Sequence, residues 1–200
     1  MVDTVIRVDD RPRRRDRERT RRRLLDAALA EFSEKGLAGA RVSAIAERAG
    51  VNKQLISYYF AGKRGLYDAL VQQWLDAEAE FARPDLTLGE LVGAYVRSAV
   101  AHRAMSLIFL RESLEDPPDG SGGIGPEEVA DLRRRQAAGE LPRDLDPAFV
   151  LLALQGAAAA GLVFPGDARR VTGLDPHSEE FAERYAEQLE RLIAHLARAR

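Results

Sequence analysis

The chain has no cysteine, only two methionines and a single tryptophan in 200 residues. Without thiols it can form no disulfide, no thiolate metal site and no cysteine redox sensor, which fits a reducing cytoplasm. Long apolar runs are missing too. The best candidate, residues 149–164, is interrupted by Gln155, Gly156 and Gly161, and is too short and too broken to cross a bilayer. Val5, Ile6 and Val8 are too few for a signal-peptide core, so a soluble chain is expected. Catalytic signatures are equally sparse. His102, His177 and His195 lie in separate segments without metal-ligand spacing, and no serine sits in a Gly-x-Ser-x-Gly turn. The glycines of residues 117–123 lack the Gly-Lys-Ser/Thr of a phosphate cradle and read as a surface loop. An enzyme is therefore disfavoured, and neither a metal nor a cofactor is expected.

What is present is charge, unevenly placed. Hydrophobic residues make up 46% and charged residues 31%, enough for one compact core and a small appended domain. The net charge of -2 hides a division. Residues 1–64 carry 16 Lys and Arg against 9 Asp and Glu, whereas the rest carries 14 against 23. Only the front of the molecule favours a polyanion. Binding through it should weaken steeply with salt, by a log-log slope of about 0.9 per neutralised phosphate.

Residues 42–67, VSAIAERAGVNKQLISYYFAGKRGLY, concentrate the signal. A short helix over about 43–49 places Ile45, Ala46 and Ala49 on one face. Gly50 supplies a positive-φ turn and Val51 an apolar plug. Asn52 is a good N-cap for a second short helix, whose Leu55 and Ile56 face inward. Lys53, Gln54, Ser57, Tyr58 and Tyr59 are left outward or at its end. Such side chains suit duplex DNA: lysine for phosphate or guanine, glutamine for an adenine edge, tyrosine hydroxyls for phosphate oxygens. Lys63 opens the next helix and is expected at a phosphate.

This block resembles the DNA-binding domain of TetR/AcrR-type bacterial transcriptional repressors. The resemblance is carried by Ile45-Ala46, Ala49-Gly50-Val51, Tyr58-Tyr59-Phe60, Lys63 and Leu66-Tyr67, with Leu25 to Ala28 and Phe32 to Gly36 upstream. Two departures stand out. Arg41 replaces a common Thr cap, for which Ser43 is expected to substitute, and Ser57 replaces a common aromatic. The family implies an all-α fold: a three-helix helix-turn-helix domain followed by a helical ligand-binding and dimerisation domain. Expected boundaries are a disordered basic arm over 1–16, the reader over 17–62 and the regulatory domain over 63–200. The arm either enters a minor groove or stays a solvated tail.

Nine helices are expected: about 17–34, 43–49, 52–60, 63–81, 88–102, 104–115, 126–138, 147–164 and 178–199. Leu75 and Leu114 are expected inside. In the final pair, Ala153, Gly156, Ala157, Ala160 and Gly161 make a smooth face, and Phe181, Tyr185, Leu189, Leu192 and Leu196 repeat at bundle spacing. These faces either complete the monomer's core or form the four-helix homodimer interface that the family implies. Two readers on a two-fold axis would span half-sites of a palindromic operator about 34 Å apart, or a multiple. The resemblance further implies a small-molecule effector that releases the repressor, with candidate lining residues Trp74, Tyr95, His102, Met105, Phe109, Glu112 and Gln155. A protein partner is the other reading: it would need an exposed apolar patch, where a metabolite needs an enclosed cavity.

Overall fold

The computed structural model describes residues 11–115 and 125–198. The first ten residues of the expected arm and the glycine loop of 117–123 lie outside them. The described residues form ten helices and no strand: α1 Arg11–Gly39, α2 Val42–Ala49, α3 Gln54–Phe60, α4 Lys63–Phe81, α5 Leu88–Ala101, α6 Arg103–Glu115, α7 Pro126–Ala137, α8 Pro147–Val163, α9 Pro165–Thr172 and α10 Glu179–Arg198. The chain divides into two compact units, one ending at Gln73 and the other beginning at Trp74. The division falls inside α4, later than the expected boundary at 62/63. The first turns of α4 bury Leu66, Tyr67 and Leu70, and Tyr67 meets Phe32 of α1 edge-on with centroids 6.2 Å apart.

In the N-terminal unit, α1 starts at Arg11, inside the stretch expected to be an unstructured arm. Lack of apolar periodicity there means only that the helix has nothing to bury. Arginine is a good helix former, and extending an existing helix avoids the nucleation cost. Burial begins at Leu24 and continues through Leu25, Ala28 and Phe32, where α1 packs on α2; Ile45, Ala46 and Ala49 of α2 and Ile56 and Phe60 of α3 are buried as well. Gly36, with φ 68° and ψ 170°, breaks α1 where a glycine stop is expected.

In the C-terminal unit, Thr87 and Glu90 close a capping box that starts α5. Leu88, Val92 and Val96 of α5 then pack with Leu132, Leu141, Ala186, Leu189 and Ile193. Gly89 lets α5 approach α10 closely, since a Cβ there would stand 3.3 Å from the Glu190 backbone. Arg97 fastens the same pair of helices, with Nε 2.8 Å from Glu183 and Nη1 3.0 Å from Glu190. The nearly buried Arg135 of α7 donates to the Leu86 carbonyl at 2.8 Å, to Asp131 and to Glu140. A buried guanidinium with those acceptors holds α7 against the entry to α5.

Three expectations fail in this unit and at its entrance. Helix α9 was not foreseen; Phe164 ends α8 and Pro165 opens the new helix at its first position. Leu75 and Leu114 are exposed rather than inside; Leu192 and Leu196 are exposed too, which is one of the two outcomes left open for that face. On α10 the buried row is Phe181, Ala182, Ala186, Leu189 and Ile193, because a straight helix advances 3.6 residues per turn and Leu192 falls off the face that meets α5.

Candidate nucleic-acid interface and aromatic cluster

The reader is held by backbone geometry at both ends of a tight turn. Gly50 takes φ 61° and ψ 41°, its N–H donates to the Glu47 carbonyl at 2.9 Å and the Val51 N–H to Ala46 at 3.0 Å. That pair of bonds is a Schellman closure of α2. A Cβ at Gly50 would also crowd the Arg23 guanidinium, whose Nη2 lies 3.4 Å from the Gly50 carbonyl. The Asn52 side chain then accepts the Gln54 N–H at 2.9 Å, capping α3 as the sequence suggested.

With that start, Ile56 and Phe60 are buried, Leu55 and Tyr59 are half-buried, and Lys53, Gln54, Ser57 and Tyr58 are exposed. Tyr58 is 67% exposed and meets Tyr59 edge-on, with centroids 5.0 Å apart. Lys53 and the seven-residue helix after it thus present a cation, an amide, a hydroxyl and a phenol outward. The amide can read an adenine edge bidentately, and the others can bind phosphate.

Two of the chosen residues have other local roles. Ser43 is exposed but does not cap α2: Arg41 occupies the cap position, without a side-chain bond. The buried Glu31 accepts the Arg41 N–H at 3.5 Å instead, and also pairs with Lys35 and lies 3.8 Å from Arg48. Burial pushes the Glu31 carboxyl up, but the bonds from Lys35 and Arg41 and the charges of Lys35 and Arg48 hold it below its ordinary value. Lys63 is half-buried, and its Nζ donates to the carbonyls of Ala38 and Ala40, both at 3.2 Å. An ammonium has three donors, and two of these close the end of α1 rather than reaching outward.

Gly65 went unnoticed in the sequence and is required. A Cβ at that position would overlap the Phe60 carbonyl, so α4 can begin beside the last turn of α3 only with glycine there. Ala61, with φ 55°, is the non-glycine residue that bears the left-handed turn between them.

In the C-terminal unit, four of the chosen ligand residues come together. Trp74 meets His102 and Phe109 with centroids 5.8 and 5.6 Å apart, and Phe81 bridges Trp74 to Tyr95 at 6.1 and 5.4 Å. All four contacts are edge-to-face, the arrangement that the ring quadrupole favours. The Tyr95 hydroxyl donates to Glu78 at 2.7 Å, and burial followed by that carboxylate pushes its pKa up. Met105 is buried, Glu112 half-buried and His102 exposed. Gln155 stands apart, exposed on α8 beside Leu152 and Gly156, because its helical position turns it away from the core. A separate cleft of about 230 Å³, solvent at its mouth included, is bordered by Val96, Val100, Gly161, Leu162, Phe181 and Tyr185. Its enclosed space is only about 10 Å³, room for about one water and not for a metabolite, and it shares no residue with the aromatic cluster.

A third surface is apolar. Phe149 and Leu152 of α8 and Leu192 and Leu196 of α10 are exposed, at 73, 62, 55 and 38%. Among the described residues no single helix is long and apolar enough to cross a membrane.

Comparisons with known proteins agree with this geometry. The sequence profile of bacterial regulatory proteins of the tetR family matches residues 24–70. The HTH-type transcriptional repressor SCO4008 of Streptomyces coelicolor is 44% identical over 59 residues, 30% of this chain and 31% of that protein. The HTH-type transcriptional regulator RutR of Escherichia coli K12 is 28% identical over 184 residues, 85% of this chain and 86% of its own length. Among solved structures, SCO4942 of Streptomyces coelicolor, described as a candidate transcriptional regulator, superposes with a TM-score of 0.66 at 25% identity, over 86% of this chain and 97% of that one.

Proposed function

We propose that the chain is a DNA-binding transcriptional regulator of the tetR type, supported by the match of residues 24–70 and the likeness to RutR and SCO4942; it is a repressor, binding a palindromic operator as a homodimer and leaving it when a small molecule occupies the C-terminal unit. The observation that carries the DNA-reading role is the outward surface of α3, where Lys53, Gln54, Ser57 and Tyr58 are exposed and the backbone beneath them is fixed at Gly50 and Asn52. Gln54 reads a base. Lys53, Ser57, Tyr58, Tyr59 and the remaining donor of Lys63 hold phosphates, with Ser43 at the start of α2 and Asn52 at the turn contributing at the edge.

The dimer is supported by the apolar surfaces of α8 and α10. Phe149, Leu152, Leu192 and Leu196 have no partner in the monomer's core, and a second copy would bury them around a two-fold axis. Gln155 then belongs to that face rather than to a ligand site. Effector binding is assigned to Trp74, Tyr95, His102, Met105, Phe109 and Glu112, where planar rings and a carboxylate-bound phenol would recognise an aromatic or cationic group. A ligand releases DNA only if it binds one conformation more tightly than the other. A protein that binds operator DNA would work in the cytoplasm.

Selection of duplexes from a random pool, followed by gel-shift titration, tests the reading. Gln54→Ala should change preference at one base pair by about 1 to 3 kcal/mol while leaving other positions alone. Equal weakening on every sequence would remove Gln54 from base reading, and selection of no common sequence would favour a nonspecific DNA protein.

A further inference from the structure

Residues 13–23, RRRDRERTRRR, are helical and contain nothing the core can use. Arg15, Arg17, Arg19, Arg21, Arg22 and Arg23 are all exposed, and burial begins at Leu24. No buried apolar side chain supports α1 between Arg15 and Arg19. Arg15 and Arg19, Arg17 and Arg21, and Arg19 and Arg23 each place like charges one turn apart, which opposes the helix. The surface pair of Arg19 with Asp16 at 3.1 Å relieves little of that.

The root of the stretch is anchored beside the recognition helix. The Arg21 guanidinium stacks over Phe60, the last residue of α3, 5.2 Å from the ring centroid. Arg23 bonds the Gly50 carbonyl in the turn that precedes α3. A helix rises about 1.5 Å per residue, so Arg17 stands about 6 Å and Arg15 about 9 Å beyond Arg21 along the axis. Arg17 repeats the face of Arg21 one turn back, while Arg15, Arg19 and Arg22 share a second face at i, i+4 and i+7.

We propose that this helical extension of α1 is a second DNA-contact element, lying along the phosphate backbone outside the base pairs that α3 reads. The inference rests on the DNA-binding role proposed above. Being helical decides the mode of contact. A helix about 10 Å across does not thread a minor groove about 6 Å wide, as an extended basic arm does, so the arginines meet phosphates from outside. A reach of about 9 Å covers two to three base steps of about 3.4 Å beyond the half-site. Such contacts add affinity and salt sensitivity without sequence preference. A polyanion alongside also removes the self-repulsion of the free extension, so binding stabilises the helix that binds.

The test uses the full chain and duplexes it selects from a random pool, each made in two lengths: the half-sites alone, and the half-sites with about 10 further base pairs, one helical turn, on each side. Replacing Arg15→Gln, Arg17→Gln and Arg19→Gln together removes six arginines from the dimer and should lower the log-log salt slope on the flanked duplex by up to about 5, and weaken binding roughly a hundredfold or more near 0.1 M salt. The loss should be much smaller on the trimmed duplex, and base preference should not change. The matching Arg→Lys triple variant should keep the slope. Circular dichroism with wild-type helix content would confirm that the glutamine variant is folded. An unchanged slope on the flanked duplex overturns the proposal, as does an equal loss on both lengths. Capture of wild type by phosphatidylserine vesicles, lost in the variant while duplex affinity stays the same, would overturn it in favour of an anionic surface. If the wild-type chain selects no duplex at all, the DNA-reading role fails first and this inference with it.

Discussion

The two units bury similar kinds of side chain but leave different things outside. In the N-terminal unit, no large apolar residue of α1, α2 or α3 is exposed apart from the phenol of Tyr58, and the surface is polar and charged, with arginines prominent. In the C-terminal unit, phenylalanines and leucines of α8 and α10 stand in solvent while arginines and glutamates are drawn inward around Arg135 and Arg97. Arginines and an outward amide match phosphates and base edges, which stay hydrated and charged. Exposed leucines match only another apolar surface, because only that contact removes them from water.

The contrast can be broken from either side. Leu192→Glu with Leu196→Glu should weaken self-association by about 4 kcal/mol, roughly a thousandfold, because each leucine is lost twice across a two-fold axis. Sedimentation would show monomers, with little change in the melting of the subunit. Binding by such monomers as tightly as by wild type would dissociate the apolar face from the reader's function.

Gly65→Ala acts on the other unit. The added methyl overlaps the Phe60 carbonyl, and the expected cost is about 3 kcal/mol as the α3–α4 corner shifts. Thermal denaturation measures it, and duplex binding should fall with it. Wild-type stability in that variant would mean that the corner tolerates displacement.

Glu31→Ala should cost about 2 kcal/mol, since it leaves the Arg41 N–H and the Lys35 ammonium without their acceptor. The same carboxylate gives a pH dependence of known sign. Its folded pKa lies below the ordinary 4.5, so its contribution is complete above that value and fades as the pH falls through the folded pKa. Glu31→Gln should flatten this acid limb in urea titrations, whereas an unchanged limb would assign it to other carboxylates. The smallest effect is a gain: Ala61→Gly should stabilise by about 0.5 kcal/mol, because glycine relieves the left-handed strain at φ 55° but adds freedom to the unfolded chain. A measured loss would show that the methyl contributes contacts outweighing the strain.

Much of the reader was legible because its signals are local. Gly50, Val51 and Asn52 act on groups within five residues, and the face assignments of Ile45, Ala46, Ala49 and Ile56 follow from one helical turn. Lys63 and Ser43 were legible as residue types but not as contacts. The carbonyls that hold Lys63 lie 25 and 23 residues away, and α2 is met at its start by Glu31, ten residues back, rather than by its own serine. The start of α1 was misread for a different reason: a helix with no buried face leaves no apolar period to detect.

In the C-terminal unit, the aromatic positions could be proposed from sequence, yet their meeting around Trp74 depends on helices far apart in the chain. The leucine row of α10 shows the same division. Its amphipathic character was written in the order of its residues, since helical rise and twist are properties of the backbone. Which of those leucines went inside was not, because neighbours on α5 and α8 compete for the same face and only their close packing selects Leu189 and leaves Leu192 out.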